Sequence, residues 1–377
     1  MNPRHGGHAT MPGFHGGKRR IAGLFAVCAT IALTAGGVTA EIQGPTCAPR
    51  AGVIYGGELV DRTLTFTYAV EIPAQPVGIG PVDVFIPLAV SDMHQDIVRR
   101  ELTASIPGQE RTEHRYGNRF WHGHVDQSDG QPITIAVKYW TRRRVFQPQG
   151  LAAAGQEHSP QEREQMKLFL GPNRRVPTSG SLIERVRADI PQGDPTPLGR
   201  ARAIYDYVVD TMEYKKVGTG WGNGDTFWAC SARYGNCTDY HALFISLARA
   251  EGIPARFEIG FSIPENRPAG KIEGYHCWTE FHLPGVGWVP IDASEADKRP
   301  ERREIYFGTY PADRIQFSMG RDLELGDGHT TGPLNYFIYP HVEVAGKRLK
   351  DVKTHFRYAE VSEVEVAMPA TASEISR

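Results

Sequence analysis

The stretch GNCTDYHALFISLARAEGIPAR, residues 235–256, decides the fold of this chain. Over residues 238–251 its apolar side chains surround nearly the whole circumference of a helix, which predicts a buried helix. Gly252 follows the last turn and Pro254 stands two residues later, a pattern typical of a helix end. Cys237 therefore lies in the first turn of a helix that its own burial holds rigidly.

A cysteine at a helix start differs chemically from one in a core. The first-turn N–H groups have no partner inside the helix, and with the positive end of the helix dipole they favour a thiolate. Such surroundings lower a cysteine pKa from about 8.5 to roughly 3.5–7.5, and the same N–H groups can hold an oxyanion. We interpret Cys237 as an activated nucleophile, the alternative being a small buried apolar residue.

Two downstream segments supply a base and its partner. Residues 275–282 alternate as a strand does, and an apolar run resumes over residues 288–291. A hairpin turn at residues 284–285 places the cross-strand partner of His276 within two residues of Asp292. Asp292 is then in reach to orient the His276 imidazole and to stabilise its charged form. A structural salt bridge is the alternative for this pair.

These three segments resemble, in the same chain order, those of the transglutaminase-like superfamily, in particular its exported bacterial members of cysteine-protease type. The nucleophile segment is 235–256, the histidine segment 276–280 and the aspartate segment 287–292, and the match covers about residues 198–310. Three motifs in order are far more specific than one. The resemblance implies an α+β fold with a papain-like core, in which a buried helix carrying the cysteine packs on an antiparallel sheet.

The resemblance also implies chemistry. It makes Cys237, His276 and Asp292 a triad for acyl transfer from a carboxamide or peptide bond through a thioester, to water or to an amine, without a cofactor. Members of the superfamily use an oxyanion donor upstream of the cysteine, for which Trp221 and Trp228 are candidates by position. Further residues have subsidiary roles: Trp278 is a candidate wall of a substrate groove, and Asp239 a candidate helix cap.

Two alternatives remain open. One is a non-catalytic module that binds a protein or peptide on the same fold. The other is a metal site of Cys230, Cys237 and His276, which no Cys-x-x-Cys or His-x-x-x-His spacing supports, so we expect no metal there. A disulfide between Cys230 and Cys277 would brace the site. The motif His122-Gly123-His124 is interpreted as a surface pair, since no third ligand stands nearby in sequence.

The N-terminus carries the pattern of a secretory signal. Three basic residues at 18–20 precede an apolar run over residues 21–33, and Val38-Thr39-Ala40 supplies small residues for cleavage after Ala40. A membrane anchor is the alternative, but the apolar run is short for a span. We expect an exported protein, periplasmic or secreted, whose translation starts at Met1 or Met11.

Charge and composition narrow the partners. The whole chain has a formal net charge of −1, and removal of residues 1–40, which hold four basic and no acidic residues, lowers it to −5. A mildly acidic protein is a poor ligand for a phosphate backbone. We therefore expect a protein or peptide substrate, including cell-wall peptide, and no nucleic acid or stable membrane span.

Length and pattern predict two folded domains. The expected order is a signal peptide, a small β-sandwich, a linker with short helices, the catalytic core, and C-terminal strands with a disordered tail. These parts span residues 1–40, 41–147, 148–195, 196–325 and 326–377.

Overall fold

The computed structural model describes residues 59–151 and 155–367. The predicted signal peptide and the polar end of the tail lie outside these residues. Within them, no helix combines the length and the apolar character that crossing a bilayer requires.

The first part of the chain is built of antiparallel strands. They are β1 (Arg62–Ile72), β2 (Val82–Leu88), β3 (Gln95–Ala104), β4 (Gly108–Thr112), β5 (Arg119–Val125) and β6 (Ile133–Arg143). The alternating residues of β1 are buried in turn, as its period-2 pattern predicts. Strand β3 is half-buried along most of its length, which explains why its sequence lacks a clear apolar alternation.

Helices dominate the middle of the chain. They are α1 (Pro160–Gln165), α2 (Lys167–Leu170), α3 (Ser181–Asp189), α4 (Pro197–Thr211), α5 (Thr226–Ala232) and α6 (Cys237–Ala250), with the two-residue strands β7 (Glu213–Tyr214) and β8 (Tyr234–Gly235) between them. A capping box starts α1 at Ser159. Helix α6 is buried from Cys237 to Arg249, as predicted, and α4 and α5 pack against it.

A four-stranded sheet supports α6. Its order is β12 (Gly287–Ile291), β11 (His276–Leu283), β9 (Ala255–Ser262) and β13 (Arg314–Met319). The β11–β12 register pairs Thr279 with Ile291 and Leu283 with Gly287, which confirms the predicted hairpin. Helix α7 (Ala293–Lys298) follows β12 directly. The sheet thus brings the start of β11 and the end of β12 together below the N-terminus of α6.

Strands from the end of the chain complete two further sheets. One has the order β10-β16-β1-β6-β3 and the other β15-β14-β2-β5-β4. The added strands are β10 (Ala269–Ile272), β14 (His341–Val344), β15 (Lys347–Arg348) and β16 (Lys353–Glu360), and helix α8 (Glu363–Ala367) ends the described chain. The sequence segments before residue 147 and after residue 326 therefore share sheets, a pairing too distant along the chain for local patterns to reveal.

An aromatic core joins the first sheet to the sheet under α6. The ring of Phe66 on β1 lies 5.1 Å from that of Phe261 and 5.6 Å from that of Phe317, centroid to centroid. Offset and edge-on aromatic packing of this kind adds stability beyond the buried area alone. The sheet that carries the site residues is consequently buried on both faces, with α6 on the other side.

Candidate active site

Reciprocal capping fixes the start of α6. The Asn236 side chain accepts a hydrogen bond from the Thr238 backbone N–H at 3.0 Å, and the Asp239 carboxylate accepts one from the Asn236 N–H at 3.0 Å. This is a capping box, and it satisfies two of the orphan donors of the helix end. Cys237, in the first turn, is only 2% exposed.

Asp239 also holds the loop in front of the helix. Its carboxylate accepts hydrogen bonds from the backbone N–H groups of Gly222 at 2.6 Å and Gly224 at 2.9 Å. A Cβ at Gly235 would overlap this carboxylate, so the position admits only glycine. The predicted capping role of Asp239 is confirmed, and the same side chain ties the residue 222–224 loop to the helix start.

His276 and Asp292 form a buried pair. His276 Nε2 lies 2.6 Å from Asp292 Oδ2, and both side chains are nearly inaccessible to solvent. Because Asp292 fixes Nε2 as the proton-bearing partner of the carboxylate, Nδ1 is left to face the cysteine. The His276 ring hydrogen-bonds the Cys237 sulfur. The structure thus brings the three predicted side chains into one hydrogen-bonded chain.

The electrostatics of this chain favour an ion pair. Burial alone would raise the pKa of Cys237, but hydrogen bonds from Cys277 and His276 and the charge of His276 bring that pKa well below its usual value. Burial would lower the pKa of His276, but the Asp292 charge, its hydrogen bond and Cys237 raise that pKa to about 10. A thiolate and an imidazolium are therefore the stable forms near neutral pH.

Asp292 is held ionised by several donors. Arg314 Nη1 lies 3.0 Å from Asp292 Oδ2, while Ser294 Oγ and the Glu295 N–H each donate to Oδ1 at 3.0 Å. Although burial opposes the charged form, His276 and Arg314 bring the pKa of Asp292 well below its usual value. Arg314, in β13, is a site residue that no local sequence pattern indicates.

A second histidine lies behind the first. His241 follows Cys237 by one helical turn, and its Nε2 is 3.6 Å from Asp292 Oδ1. Burial lowers the pKa of His241 to about 4, so it is neutral at ordinary pH. The Cys277 sulfur lies 3.5 Å from His241 Nδ1. The i, i+4 spacing of Cys237 and His241 on one helix face was a usable signal that the sequence interpretation missed.

The tryptophan candidates for the oxyanion donor are not free. The indole N–H of Trp221 donates to the Gly218 carbonyl at 3.2 Å, and that of Trp228 donates to the Tyr234 carbonyl at 3.1 Å. Both rings serve the loop before α6, and neither donor is directed at the cysteine. The prediction of Trp221 or Trp228 as the oxyanion donor is wrong, because backbone carbonyls already accept from both indole N–H groups.

Trp278 does not wall a groove. Its side chain has no exposed surface, its indole N–H donates to Glu258 at 2.9 Å, and its ring packs edge-on against Tyr310. The His276 ring is 6.0 Å away, centroid to centroid. Trp278 therefore supports His276 from inside the protein and does not meet the solvent-filled cleft.

Other donors stand close to the cysteine. Within the described residues, none accepts a hydrogen bond from the Cys237 backbone N–H. Tyr214 pairs with Gly235 across the β7–β8 ladder, two residues before Cys237, and the cysteine charge is among the causes, after burial, that raise the pKa of its hydroxyl. Tyr214 is half-buried and lines the same cleft as His276.

The cleft beside the triad has a volume of about 480 Å³. His276 lines it together with Tyr214 and Tyr275. Glu265 and Lys298 add a carboxylate and an ammonium group to the lining. The Tyr275 hydroxyl accepts a hydrogen bond from Asn236 Nδ2 at 2.9 Å, which ties the cleft wall to the start of α6.

The predicted Cys230–Cys277 disulfide is not formed. Cys230, Cys237 and Cys277 are all free and buried. Cys277 lies beside Cys237 and His241 at the helix start, whereas the ionisable neighbours of Cys230 are Arg233, Arg185 and Asp225. The two thiols therefore face different surroundings. Nor does the described part of the chain gather Cys230, Cys237 and His276 as a metal-ligating group.

Several known proteins are similar to this chain. The chain is 25% identical over 339 residues to an uncharacterised protein of Haemophilus influenzae, covering 79% of this chain and 90% of that protein. A crystal structure described as a "putative cysteine protease" from Cytophaga hutchinsonii has 18% identity and a TM-score of 0.50, covering 80% of this chain and 100% of that one. The periplasmic domain of TgpA from Pseudomonas aeruginosa has 20% identity and a TM-score of 0.27, covering 64% and 90%.

The family model of the transglutaminase-like superfamily matches residues 184–293. That range runs from α3 to the start of α7 and includes Cys237, His276 and Asp292. The likeness to the Cytophaga structure extends to the fold of most of the chain. Residues 184–293 thus constitute a transglutaminase-like superfamily domain.

Proposed function

We propose that this protein is an exported cysteine-nucleophile enzyme of the transglutaminase-like type, acting on carboxamide or peptide bonds through a thioester. The observation that carries the proposal is the buried chain from Cys237 through His276 to Asp292, with His276 Nε2 2.6 Å from the carboxylate. A structural salt bridge has no need of a thiol at a helix N-terminus on the other side of the imidazole.

The first half-reaction follows from the protonation states. The Cys237 thiolate attacks the substrate carbonyl carbon, and the carbonyl π-electrons move to oxygen. His276, protonated at the outset, gives its Nδ1 proton to the leaving nitrogen as the C–N bond breaks. The products are a thioester on Cys237, a free amine and a neutral imidazole that Asp292 still orients.

The second half-reaction reverses these roles. Neutral His276 takes a proton from water or from an amine, whose oxygen or nitrogen attacks the thioester carbonyl. The C–S bond breaks and Cys237 leaves as a thiolate, restoring the ion pair with His276. Water gives hydrolysis and an amine gives transamidation, and the triad serves either acceptor equally.

The oxyanion of both tetrahedral intermediates requires two donors near the cysteine. We assign the Cys237 backbone N–H, which no described residue uses as a donor, and the Tyr214 hydroxyl. The Asn236 side chain accepts from the Thr238 N–H and not from the Cys237 N–H, so the Cys237 N–H can donate to the substrate. A preorganised donor of this kind contributes about 10²–10³ in turnover.

The cleft suits a polar peptide. Its lining holds both acidic and basic groups, among them Glu265 and Lys298, while Tyr214 and Tyr275 give flat apolar surface near His276. Such a lining matches an extended peptide with both kinds of charge, as in protein segments and cell-wall peptides. Export, which the N-terminal sequence pattern indicates, would bring the enzyme to such substrates.

The test does not require a known substrate. Iodoacetamide labelling of the purified protein, followed by mass spectrometry, is expected to modify Cys237 rapidly near neutral pH and to leave Cys277 and Cys230 unlabelled. Cys237→Ala should remove this label and all turnover in a screen of peptide, glutaminyl and cell-wall peptide substrates. If Cys237 reacts no faster than an ordinary thiol, the catalytic proposal is wrong and a peptide-binding module becomes the better description.

A further inference from the structure

Away from the triad, three polar side chains meet on the outer sheet. Asp83 Oδ1 lies 2.8 Å from His122 Nε2 and 2.8 Å from His124 Nδ1. One ligand atom from each residue falls within 4.8 Å of the other two. The histidine pair that the sequence suggested was a surface pair therefore has a third partner, supplied by the neighbouring strand.

Sheet register explains why the three converge. Asp83 in β2 pairs with His124 in β5, and Phe85 pairs with His122. Residues two apart on a strand share a face, so Asp83, His122 and His124 all project from one side of the sheet. Sequence separation hid the partner, because Asp83 stands some 40 residues before the histidines.

The three residues are held differently. Asp83 and His122 are each 4% exposed, and the His122 ring stacks on Phe85 at 4.4 Å between centroids. The His124 side chain is 46% exposed. The backbone of Gly328, at φ +84, comes so close that a Cβ there would overlap the Asp83 carboxylate. The group therefore has two fixed members, a closed side and an open side toward solvent.

A second acidic residue lies close to this group. Glu343 in β14 stands directly opposite Asp83, so two buried acidic residues are cross-strand neighbours. Like charges in such positions repel.

We propose that Asp83, His122 and His124 bind a divalent transition-metal ion of the zinc type. The ligands are Asp83 Oδ1, His122 Nε2 and His124 Nδ1, and water completes the coordination on the open side. Two imidazoles and one carboxylate suit zinc and its neighbours, whereas calcium and magnesium prefer oxygen ligands throughout. A dication bound to Asp83 also reduces the repulsion between the neighbouring carboxylates of Asp83 and Glu343.

Little movement is needed. Ligand atoms at about 2.1 Å from a tetrahedral zinc lie roughly 3.4 Å apart, so the two 2.8 Å contacts must widen by about 0.6 Å. In the described part of the chain, the other nitrogen of the exposed His124 ring contacts only the exposed Asp126 carboxylate, at 3.3 Å, which can move with the ring. Both ligating nitrogens must give up their protons to the solvent or to the other ring nitrogen, so binding competes with the present hydrogen bonds.

A neighbouring group is a useful contrast. His329, His341 and Glu343 also bring ligand atoms within 4.8 Å. Both Glu343 oxygens, however, already accept hydrogen bonds from Thr330, and Oε1 accepts others from Thr331 and His341. That carboxylate anchors the residue 330–331 loop and has little capacity left for a metal.

The experiment uses the full chain with a tag free of histidine. Zinc content after dialysis, and zinc affinity from competition with a chromophoric chelator, are measured for wild type, Asp83→Asn and His124→Ala. His355→Ala, which removes an exposed histidine on β16, is the matched control. The N-terminal histidines at positions 5, 8 and 15 are present in every variant and so cancel in the comparison.

Wild type and His355→Ala should each hold one more tightly bound zinc ion than Asp83→Asn and His124→Ala do. The zinc affinity of Asp83→Asn and His124→Ala should be lower than that of wild type by about 100-fold or more. Zinc should raise the melting temperature of wild type but not of His124→Ala, whose exposed site tolerates alanine without unfolding. Equal zinc content in wild type and His124→Ala would overturn the proposal, as would wild-type affinity no tighter than that of the variant.

Discussion

Replacing Asp292 by Asn separates the charge of the triad from its shape. Asparagine keeps the size of the side chain and still accepts hydrogen bonds from Ser294 and the Glu295 N–H, so the start of α7 stays capped. The amide nitrogen then stands in the place of Oδ2, so the side chain loses its negative charge and no longer accepts from His276 Nε2 or Arg314 Nη1. The fold should persist, since Arg314 retains Asp313 at 3.1 Å as its counter-charge.

The size of the effect follows from the pKa of His276. With that pKa at about 10, the imidazole is almost fully protonated at pH 7.5. Without the Asp292 charge the pKa returns toward the ordinary value of about 6.5 or below, where roughly a tenth or less of the rings are protonated at that pH. The ion pair with Cys237 weakens accordingly. Together with the loss of imidazole orientation, turnover should fall by about 10²–10⁴.

The assay is the rate of iodoacetamide labelling of Cys237 from pH 5 to pH 10, with mass spectrometry to locate the label. In wild type the rate should reach its plateau well below the ordinary thiol pKa of about 8.5. In Asp292→Asn the midpoint should move upward toward that value. Asp313→Asn removes a neighbouring negative charge without touching His276, and is expected to leave the midpoint nearly unchanged.

Two outcomes would refute this reasoning. If Asp292→Asn labels with the wild-type midpoint and melts normally, Asp292 does not set the charge state of the pair. If Asp313→Asn moves the midpoint as far as Asp292→Asn does, any nearby negative charge has the same effect on the thiol, and the 2.6 Å contact between Asp292 and His276 is not its cause.

Further predictions address the other parts of the site. Tyr214→Phe should lower turnover by about 10²–10³ with little change in the labelling of Cys237. Trp228→Phe loses only its hydrogen bond to a backbone carbonyl, so its turnover should stay within a few-fold of wild type. Similar losses of turnover in both variants would disprove the Tyr214 assignment. In a pH–rate profile, turnover should fall as the pH rises past about 10, because His276 then lacks the proton it gives to the leaving nitrogen. A decline of turnover near pH 7 would contradict this role of His276. N-terminal sequencing of the exported protein should begin near Glu41, and an intact N-terminus in the cytosol would refute export.

Local patterns predicted what local physics decides. The alternation in residues 62–72 is typical of a strand and coincides with β1, and the apolar circumference of residues 238–251 predicts α6. In both cases burial of neighbouring side chains determines the structure, and those neighbours are adjacent in sequence. Strands β3 and β4 have no such signal, because their exposed and half-buried side chains leave no periodicity.

Long-range pairing was beyond these patterns. Strand β16 pairs with β1 over Leu64–Glu360, across nearly the whole described chain, and the order of strands in that sheet has no trace in either sequence segment. The same limit applies to the sites. Arg314 reaches Asp292 from β13, and Asp83 reaches the two histidines from β2, and in each case only the folded sheet reveals the contact.

The errors at the site have a common physical cause. Trp221 and Trp228 are candidates by their position before Cys237, and Trp278 by its position two residues after His276. In the folded protein each indole N–H instead meets a nearby acceptor: two backbone carbonyls and the Glu258 carboxylate. An N–H donor that is removed from water and has no acceptor costs free energy, so a buried or half-buried indole forms a hydrogen bond within the protein. Tyr214, the donor proposed above, is placed beside the cysteine by its backbone pairing with Gly235.

Asp292 combines two roles that are usually separate, and its place in the chain explains why. It follows β12 directly and caps α7, so its Oδ1 accepts from the Glu295 N–H in the first turn of that helix. Its other oxygen then faces across the hairpin to His276. One oxygen is held by the helix and the other faces the imidazole, so the cap itself orients the carboxylate toward His276. A shift of α7 by a single residue would therefore remove the orientation of His276 together with the helix start.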